Sequence, residues 1–397
     1  MKKTIVVGIT GCVGAFKSVQ LVSDLVKKDF DVEVIMTQNA TQFIAPLQFE
    51  SLTHHRVMSD TFDRQHSYST QHISIAQKAD LFIVVPATAN FIAKAVHGIC
   101  DDMLTTTFLA CDCPKLIAPA MNTKMYTNPV TQDNLRLCEK YGYDIISPVS
   151  GHLACGDTGI GKLATLDQLM DAIEEGLVKE KPLNGKKVLI NAGPTREKID
   201  PVRFLSNHSS GKMGYSLAKA ARNLGAEVTL VSGPTQLKAP RNIDVIHIES
   251  AEEMFQEMTK RYKEADMIIC AAAVADYTPE HTSNQKIKKQ ENDLSLTLKK
   301  TQDILKYLGE HKTHQVLCGF AMETENEIEN GRQKLLSKNC DLLVVNSLNK
   351  AGAGFQYDTN IATLLTKDEQ INYDIMSKDE LAYHILSKLE VLYAARH

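Results

Sequence analysis

Three apolar segments recur in the same order in each half of the chain, and this echo constrains the fold more than any single motif. "KKTIVVGITG" (Lys2–Gly11) is answered by "GKKVLINAGP" (Gly185–Pro194), and "DVEVIMTQNA" (Asp31–Ala40) by "GAEVTLVSGP" (Gly225–Pro234). "ADLFIVVPATAN" (Ala79–Asn90) is answered by "ADMIICAAAVAD" (Ala265–Asp276). Each is a short β-branched run ending in small or polar residues, with helical periodicity in the intervals. Strands that are apolar on both faces alternate with helices where the helices cover both sides of a parallel sheet. The expected architecture is therefore α/β, with two doubly wound (Rossmann- or flavodoxin-like) parallel-sheet domains in tandem. The break is expected in the polar stretch "KEKPLNGKK" (Lys179–Lys187), giving domains 1–186 and 187–397.

Composition removes several classes of function. No apolar run reaches the roughly 18 residues of a membrane span, and "MKKTIVVGITG" reads as a strand entering a glycine turn, not as a cleavable leader. A net charge of −4 gives no general attraction to nucleic acid or anionic membrane. Nine cysteines, with no C-x-x-C, fit reduced thiols. A cytoplasmic protein acting on small molecules is expected, with neither nucleic acid nor membrane as partner.

Ligands of such sheets bind beyond the carboxyl ends of the strands, so the residues there are the candidates. In the first half, Gly8, Gly11 and Gly14 let the backbone turn and approach an anion at the next helix. The second strand ends in Thr37 and Gln38, where a dinucleotide site has an acidic residue for the ribose. This argues against a nicotinamide-dependent oxidoreductase and toward a mononucleotide such as FMN. "PATAN" presents Thr88 and Asn90, "APAMNTKMYTNP" places Asn122 after a short strand, and His72 lies just ahead of the helix leading to the "PATAN" strand. Taken singly, Asn122 also reads as a helix cap and His72 as a structural hydrogen-bonding residue.

"SGHLACGDTGIGKLA" (Ser150–Ala164) spells G-x-x-x-x-G-K, but Leu163 stands where a phosphate loop needs Ser or Thr for Mg²⁺. Cys155 has no Cys or His partner at zinc spacing. What remains is a glycine-dense flap carrying one thiol, either a mobile functional segment or an ordinary surface loop.

In the second half, "INAGPTREKIDPVRFLSNHSSGKMG" (Ile190–Gly214) puts a long polar loop between a first strand and a helix beginning near Gly211. A long loop at the ligand edge is usually functional, and "SSGKMG" offers backbone amides and Lys212 to a phosphate. "AAAVADY" (Ala271–Tyr277) combines small residues with Asp276, which suits a nucleotide's ribose, base or Mg²⁺. "QKIKK" (Gln285–Lys289) follows after a short polar loop, and Lys334 and Lys338 share one helix face.

The motifs of the first half resemble the flavin-containing cysteine decarboxylases: the glycine loop, "HISIA", "PATAN", "PAMNTKM" and "LACGDTGIGKLA", in that order. The resemblance implies a flavodoxin-like sheet that trimerises with FMN between protomers, contacted by Gly8, Gly11, Thr37, Thr88 and Asn90. It places Asn122 on the substrate carboxylate, His72 beside substrate and flavin, and Cys155 on a closing flap. An unperturbed thiol, with a pKa of about 8.5, is mostly protonated at neutral pH, so Cys155 is expected to be a proton donor on a glycine-hinged clamp. The sequence departs from the usual pattern at Cys12, Val13, Gly14, Phe16, Tyr126 and Lys162.

The second half resembles phosphopantothenate–cysteine ligases over Lys187–His397. This implies contacts to CTP at Cys270, Ala271, Ala272, Asp276, Lys286, Thr301, Gln302, Asp303, Ile304, Phe320, Lys334 and Lys338. Asn207 would serve the acyl-intermediate site, Lys286 the phosphate charge, and Asp276 the Mg²⁺ that accompanies CTP. Gln302 replaces a usual proline and Met322 a usual alanine. Together the two resemblances imply a bifunctional enzyme of coenzyme A biosynthesis with trimeric and dimeric contacts. The rival reading is a non-enzymatic regulatory flavoprotein on the same scaffold; such relatives can lack the flap cysteine, which is present here.

Overall fold

The computed structural model describes residues 2–62, 70–153, 156–289, 294–323, 326–347 and 357–396. It divides into two compact units, Met1–Lys179 and Glu180–His397. Residues 180–186 pack with the second unit: Leu183 is buried in its core, and Lys181 Nζ donates to Asn223 O at 2.6 Å.

The first unit carries β1 (Thr4–Ile9), β2 (Asp31–Met36), β3 (Leu81–Ala87), β4 (Lys115–Pro119) and β5 (Asp144–Ile145). They form one parallel sheet in the order β2-β1-β3-β4-β5. Alternation along β1 sends Ile5, Val7 and Ile9 into one apolar cluster and Val6 into another with Phe82 and Val84. Both faces are thus covered, as the continuous apolar strands require.

A separate antiparallel ribbon follows, β6 (Val149–His152) against β7 (Thr158–Lys162). Gly161 and Lys162 of the apparent phosphate-loop spelling therefore lie inside a strand. The next helix, Leu166–Gly176, starts four residues later with a capping box between Thr165 and Gln168.

The second unit begins with β8 (Lys187–Ala192). A hairpin of β9 (Arg196–Lys198) and β10 (Phe204–Ser206) then occupies the polar segment expected to be loop. There follow β11 (Glu227–Ser232), β12 (Asp244–His247), β13 (Met267–Cys270), a hairpin of β14 (Tyr277–Pro279) with β15 (Leu298–Lys300), β16 (Val316–Glu323), β17 (Leu342–Ser347), β18 (Thr359–Leu365) and β19 (Gln370–Ser377). The main sheet runs β12-β11-β8-β13-β16-β17-β18-β19. Its first six strands are parallel in a Rossmann-type order, and β18 and β19 extend it antiparallel. That antiparallel edge was not foreseen from sequence. Val188, Ile190 and Ala192 face one apolar cluster and Leu189 the other. Among the described residues no helix is long and apolar enough to cross a membrane.

Candidate functional sites

In the second unit a cavity of about 890 Å³ opens at the carboxyl edge of the sheet. Its lining is assembled from backbone upward. The Ala271–Tyr277 segment is pinned through Ala272 N–H to Asn191 Oδ1 (2.9 Å), Ala273 N–H to Gly193 O (2.9 Å) and Ala275 N–H to Thr195 Oγ1 (3.0 Å). Asn207 Nδ2 donates to Val274 O at 3.0 Å, which ties the polar loop to the same segment. Thr301 donates from its hydroxyl to Ala275 O (2.6 Å) and from its N–H to Asp276 O (3.0 Å).

Charge converges on this cavity. Lys212, Lys300, Lys334, Lys338 and Lys378 line it, against Asp276 and Asp303. The helix Lys212–Asn223 starts at its wall, so its first N–H groups and its dipole add to the positive field. Lys334 Nζ donates to Phe320 O at 3.0 Å, while Lys338 pairs with Asp303. Burial disfavours the Asp303 carboxylate, but Lys338 and the Lys306 N–H, which Asp303 accepts as helix cap, outweigh it and hold its pKa below the ordinary value. Lys378 is buried, with Nζ 2.5 Å from Tyr357 O. Burial lowers its pKa, and the nearby Lys212 adds to that. The Asp358 carboxylate, 2.7 Å from Lys212, works against that lowering. Asn346 and Asn360, hydrogen-bonded to each other at 3.0 Å, complete the polar floor.

Every residue expected from sequence at the nucleotide site lines this cavity except Lys286. Lys286 is exposed on the connection between β14 and β15, which is drawn toward the β9–β10 hairpin. Ile287 N–H donates to Asp200 Oδ2 (3.1 Å), and Arg203 Nη2 donates to Ile287 O (2.7 Å). The Asp200 side chain is fully enclosed. Burial opposes its charge, yet hydrogen bonds from Arg203 and from the N–H groups of Val202, Ile287 and Arg203 hold its pKa well below the carboxylate range. Lys300, Lys378, Asn191, Asn346 and Asn360 escaped the sequence reading, because nothing in their local spacing marks them.

In the first unit the expected flavin residues other than Gly8 follow β1, β2 and β3, and the strand order reverses between β1 and β3. Thr88 N–H donates to Thr10 Oγ1 (3.0 Å), whose hydroxyl donates to Pro86 O (2.7 Å). Thr88 caps the helix Ala89–His97, on which Asn90 is exposed. Thr37 accepts the Ala40 N–H at 3.3 Å. A Cβ on Gly11 would lie 2.6 Å from the Asn39 Cβ, so the first two loops touch. Gly8 has a different reason from the one expected: it is buried within β1, and a Cβ there would lie 2.5 Å from Leu104. Its missing side chain serves packing, not approach to an anion.

Asn122 is the cap of the short helix Thr123–Tyr126, accepting Lys124 N–H at 2.8 Å, and its Nδ2 reaches Asp157 of the ribbon at 3.2 Å. The ribbon is docked, not hinged, at these glycines. A Cβ on Gly159 would lie 2.6 Å from Thr123 Oγ1, and one on Gly161, whose φ is +134°, 2.3 Å from Met121 O. Met121 N–H also donates to Gly161 O at 3.0 Å. Cys155 lies outside the described residues. His72 is half-buried as the second residue of the helix Gln71–Lys78, within that helix and not ahead of it.

The two halves of the chain match two family models. The Flavoprotein model covers residues 1–178, and the DNA/pantothenate metabolism flavoprotein C-terminal domain covers 183–392. A coenzyme A biosynthesis bifunctional protein CoaBC from Bacillus subtilis is 45% identical over 394 residues, spanning 98% of this chain and 97% of that protein. One of the same name from Borreliella burgdorferi is 40% identical over 390 residues, 98% of this chain and 99% of that one. A cysteine/cysteine sulfinic acid decarboxylase from an unknown prokaryotic organism is 43% identical over 356 residues, 88% of this chain and 99% of that one. The chain belongs to the family of bifunctional coenzyme A biosynthesis proteins.

Proposed function

We propose that this chain ligates cysteine to 4′-phosphopantothenate with CTP and then decarboxylates the product, 4′-phosphopantothenoylcysteine, to 4′-phosphopantetheine. The decarboxylase is assigned to the first unit and the ligase to the second, with the boundary expected near residue 187 moved to between Lys179 and Glu180. The observation that carries the reading is the second unit's cavity, where segments from Asn191 to Lys378 bring five lysines and a helix N-terminus to one place. Such a field suits a triphosphate and an anionic acid.

A carboxylate does not acylate an amine at neutral pH until its oxygen becomes a good leaving group. The carboxylate of 4′-phosphopantothenate attacks the α-phosphate of CTP, giving an acyl-cytidylate and pyrophosphate. The amine of cysteine then attacks the acyl carbon and expels CMP. Lys334, Lys338 and Lys212 offset charge on the phosphates, and Asn207 holds the acyl intermediate. Asp276, exposed at the cavity wall, would hold the Mg²⁺ that accompanies the triphosphate. Lys286 joins them when its connection leans inward.

The first unit fits FMN. Thr37 and Thr88 each spend an acceptor on a backbone N–H and keep an O–H to donate to a phosphate beside the Gly11 loop. Bound there, the flavin supplies a reversible hydride acceptor for the cysteinyl thiol. Asn122 binds the substrate carboxylate, His72 stands beside substrate and flavin, and Cys155, which falls between β6 and β7 in the sequence, delivers a proton. The docked ribbon excludes water from that chemistry. Gly11 and Asn90 complete the flavin edge, while Gly8 serves the packing of β1 beneath it. We further propose trimeric contacts through this half, dimeric contacts through the ligase half, and a cytoplasmic location.

Mass spectrometry of products from 4′-phosphopantothenate, cysteine, Mg²⁺ and CTP tests the reading, with ATP and the Cys155→Ser variant in parallel. Phosphopantetheine, CMP and pyrophosphate are expected from wild type, with phosphopantothenoylcysteine accumulating in the variant. A wild type that forms no cysteine adduct with either nucleotide refutes the ligase assignment. Loss of CO₂ from free cysteine or cysteine sulfinic acid instead would move the first half to the chemistry named for its 43% identical relative.

A further inference from the structure

A second cavity, of about 650 Å³, lies in the first unit, and none of the residues assigned above lines it. Ala79, two residues before β3, and Pro114, directly before β4, line it, so it opens at the amino edge of the sheet. The helix Gln71–Lys78 supplies Ile73, Ala76 and Gln77 to its wall, and Cys113 and Lys179 are also in the lining.

Cys113 has a companion two residues back. Cys111 is buried at the end of the helix Met103–Ala110, in extended backbone with φ −77° and ψ 139°. As a hydrogen-bond partner, the Cys111 thiol lowers the Cys113 pKa; burial opposes the effect, and the Lys115 ammonium assists it. Lys115 is itself held over the Phe108 and Tyr143 rings, 5.2 and 5.5 Å from their centroids. Cys111 is pushed upward by the same hydrogen bond and by its burial. One sulfur is thus readied as nucleophile at a cavity wall, and a second waits behind it.

We propose that Cys113 is a thiol-modification site entered through this cavity, that it takes low-molecular-weight disulfides, and that Cys111 is its resolving partner. The Cys113 thiolate attacks one sulfur of R–S–S–R. That bond breaks, a mixed disulfide forms on Cys113, and R–S⁻ leaves and takes a proton from solvent. Cys111 then gives its proton to water and attacks the Cys113 sulfur, expelling the second R–S⁻. Two protein thiols are oxidised to one disulfide, and one small disulfide is reduced to two thiols. β4 begins two residues beyond Cys113 and ends three before Asn122, so the site sits at the far end of the strand that leads to the proposed carboxylate-binding residue.

Cys100 supplies the internal comparison. It is exposed, but burial of its sulfur and the neighbouring Asp101 and Asp102 raise its pKa. If access alone governed reactivity, Cys100 would react before the half-buried Cys113. Purified full-length protein is treated with cystamine near neutral pH, quenched with acid and mapped by tandem mass spectrometry that resolves Cys100, Cys111 and Cys113. Wild type is expected to lose two hydrogens across Cys111 and Cys113, and Cys111→Ser to stop at a cysteamine adduct on Cys113. In both, Cys113 outpaces Cys100 by roughly threefold per unit of pKa separation, the net of more thiolate and weaker nucleophilicity. A Cys113 rate at or below that of Cys100 overturns the proposal, as does a wild-type adduct that never resolves. If Cys111→Ser does not fold, Cys113→Ala decides: Cys111 must then stay unmodified, and its modification refutes the assigned order.

Discussion

The two halves place polar chemistry beyond the carboxyl edge of a parallel sheet, but they use different amounts of their own chain to do it. In the second unit, loops following β10, β13 and β15, the end of β16, the start of one helix and the distant Asn360 and Lys378 close around a single cavity. In the first, the corresponding loops meet in pairs along an edge: Gly11 on Asn39, Thr88 on Thr10, Met121 on Gly161. The difference follows from what each is proposed to hold. A triphosphate needs converging cations, and one chain can supply them from many directions. A flat flavin on a sheet edge leaves one side for other surfaces, which suits the trimer proposed for that half.

The largest effect that would sharpen this contrast is expected from Lys286→Ala. If the connection leans inward during ligation, the variant loses about 10²–10³-fold in acyl-cytidylate formation, the scale of one charge-stabilising group. Decarboxylation of supplied 4′-phosphopantothenoylcysteine should not change. Unaltered ligation would leave Lys286 as the exposed residue seen outside the cavity.

Gly161→Ala should do the reverse. At φ +134°, with Met121 O in the way, an alanine Cβ forces the ribbon off the Asn122 loop. The strain is about 1–3 kcal/mol and should appear as a lower melting transition for the first unit. Decarboxylation is expected to fall about tenfold or more through misplacement of Asn122 and the ribbon, with ligation intact. Normal decarboxylation would show that docking is dispensable and that the ribbon does move at its base.

These two residues also mark how far the sequence could be read. Continuous apolar runs made the strands legible, and the rule that ligands sit beyond strand ends then found most of the nucleotide cavity. Glycine spacing was less informative. A glycine that gives freedom and one that gives clearance look alike until the partner is known; Gly8 and Gly159 are of the second kind, and Gly161, at φ +134° against Met121 O, is of both. Lys286 was placed by chain proximity to "AAAVADY", but the buried Asp200 and its partner Arg203, more than eighty residues earlier, decide where that connection rests. Asn360 enters the cavity from the antiparallel extension and Lys378 from the start of the helix that follows it, neither of which the repeat of parallel strands foreshadowed.

The Asp200 clamp gives a pH test confined to the second unit. An aspartate's ordinary pKa is about 3.9, and the folded value lies below it. The stability it confers is therefore complete above about pH 4 and is lost as pH falls through the folded pKa. The melting difference between wild type and Asp200→Asn should be constant from neutral pH to about pH 5 and should shrink only in stronger acid. A difference that already fades near neutrality would mean another group supplies it.

The smallest effect is expected at Gln302, where the resemblance leads one to expect proline. Its neighbours are already fixed: Thr301 is bonded to Ala275 and Asp276, and Asp303 caps the helix Ile304–His311. Among the described residues, the Gln302 side chain reaches only Glu252, at 3.5 Å. Proline there would remove freedom from the unbound loop, a gain of about 0.4–1 kcal/mol where the backbone accepts it. That corresponds to about a two- to fivefold lower KM for CTP, with kcat unchanged. An unchanged KM would show that Thr301 and Asp303 alone order the loop, and that the second unit's cavity is as complete before nucleotide binds as its convergent lining suggests.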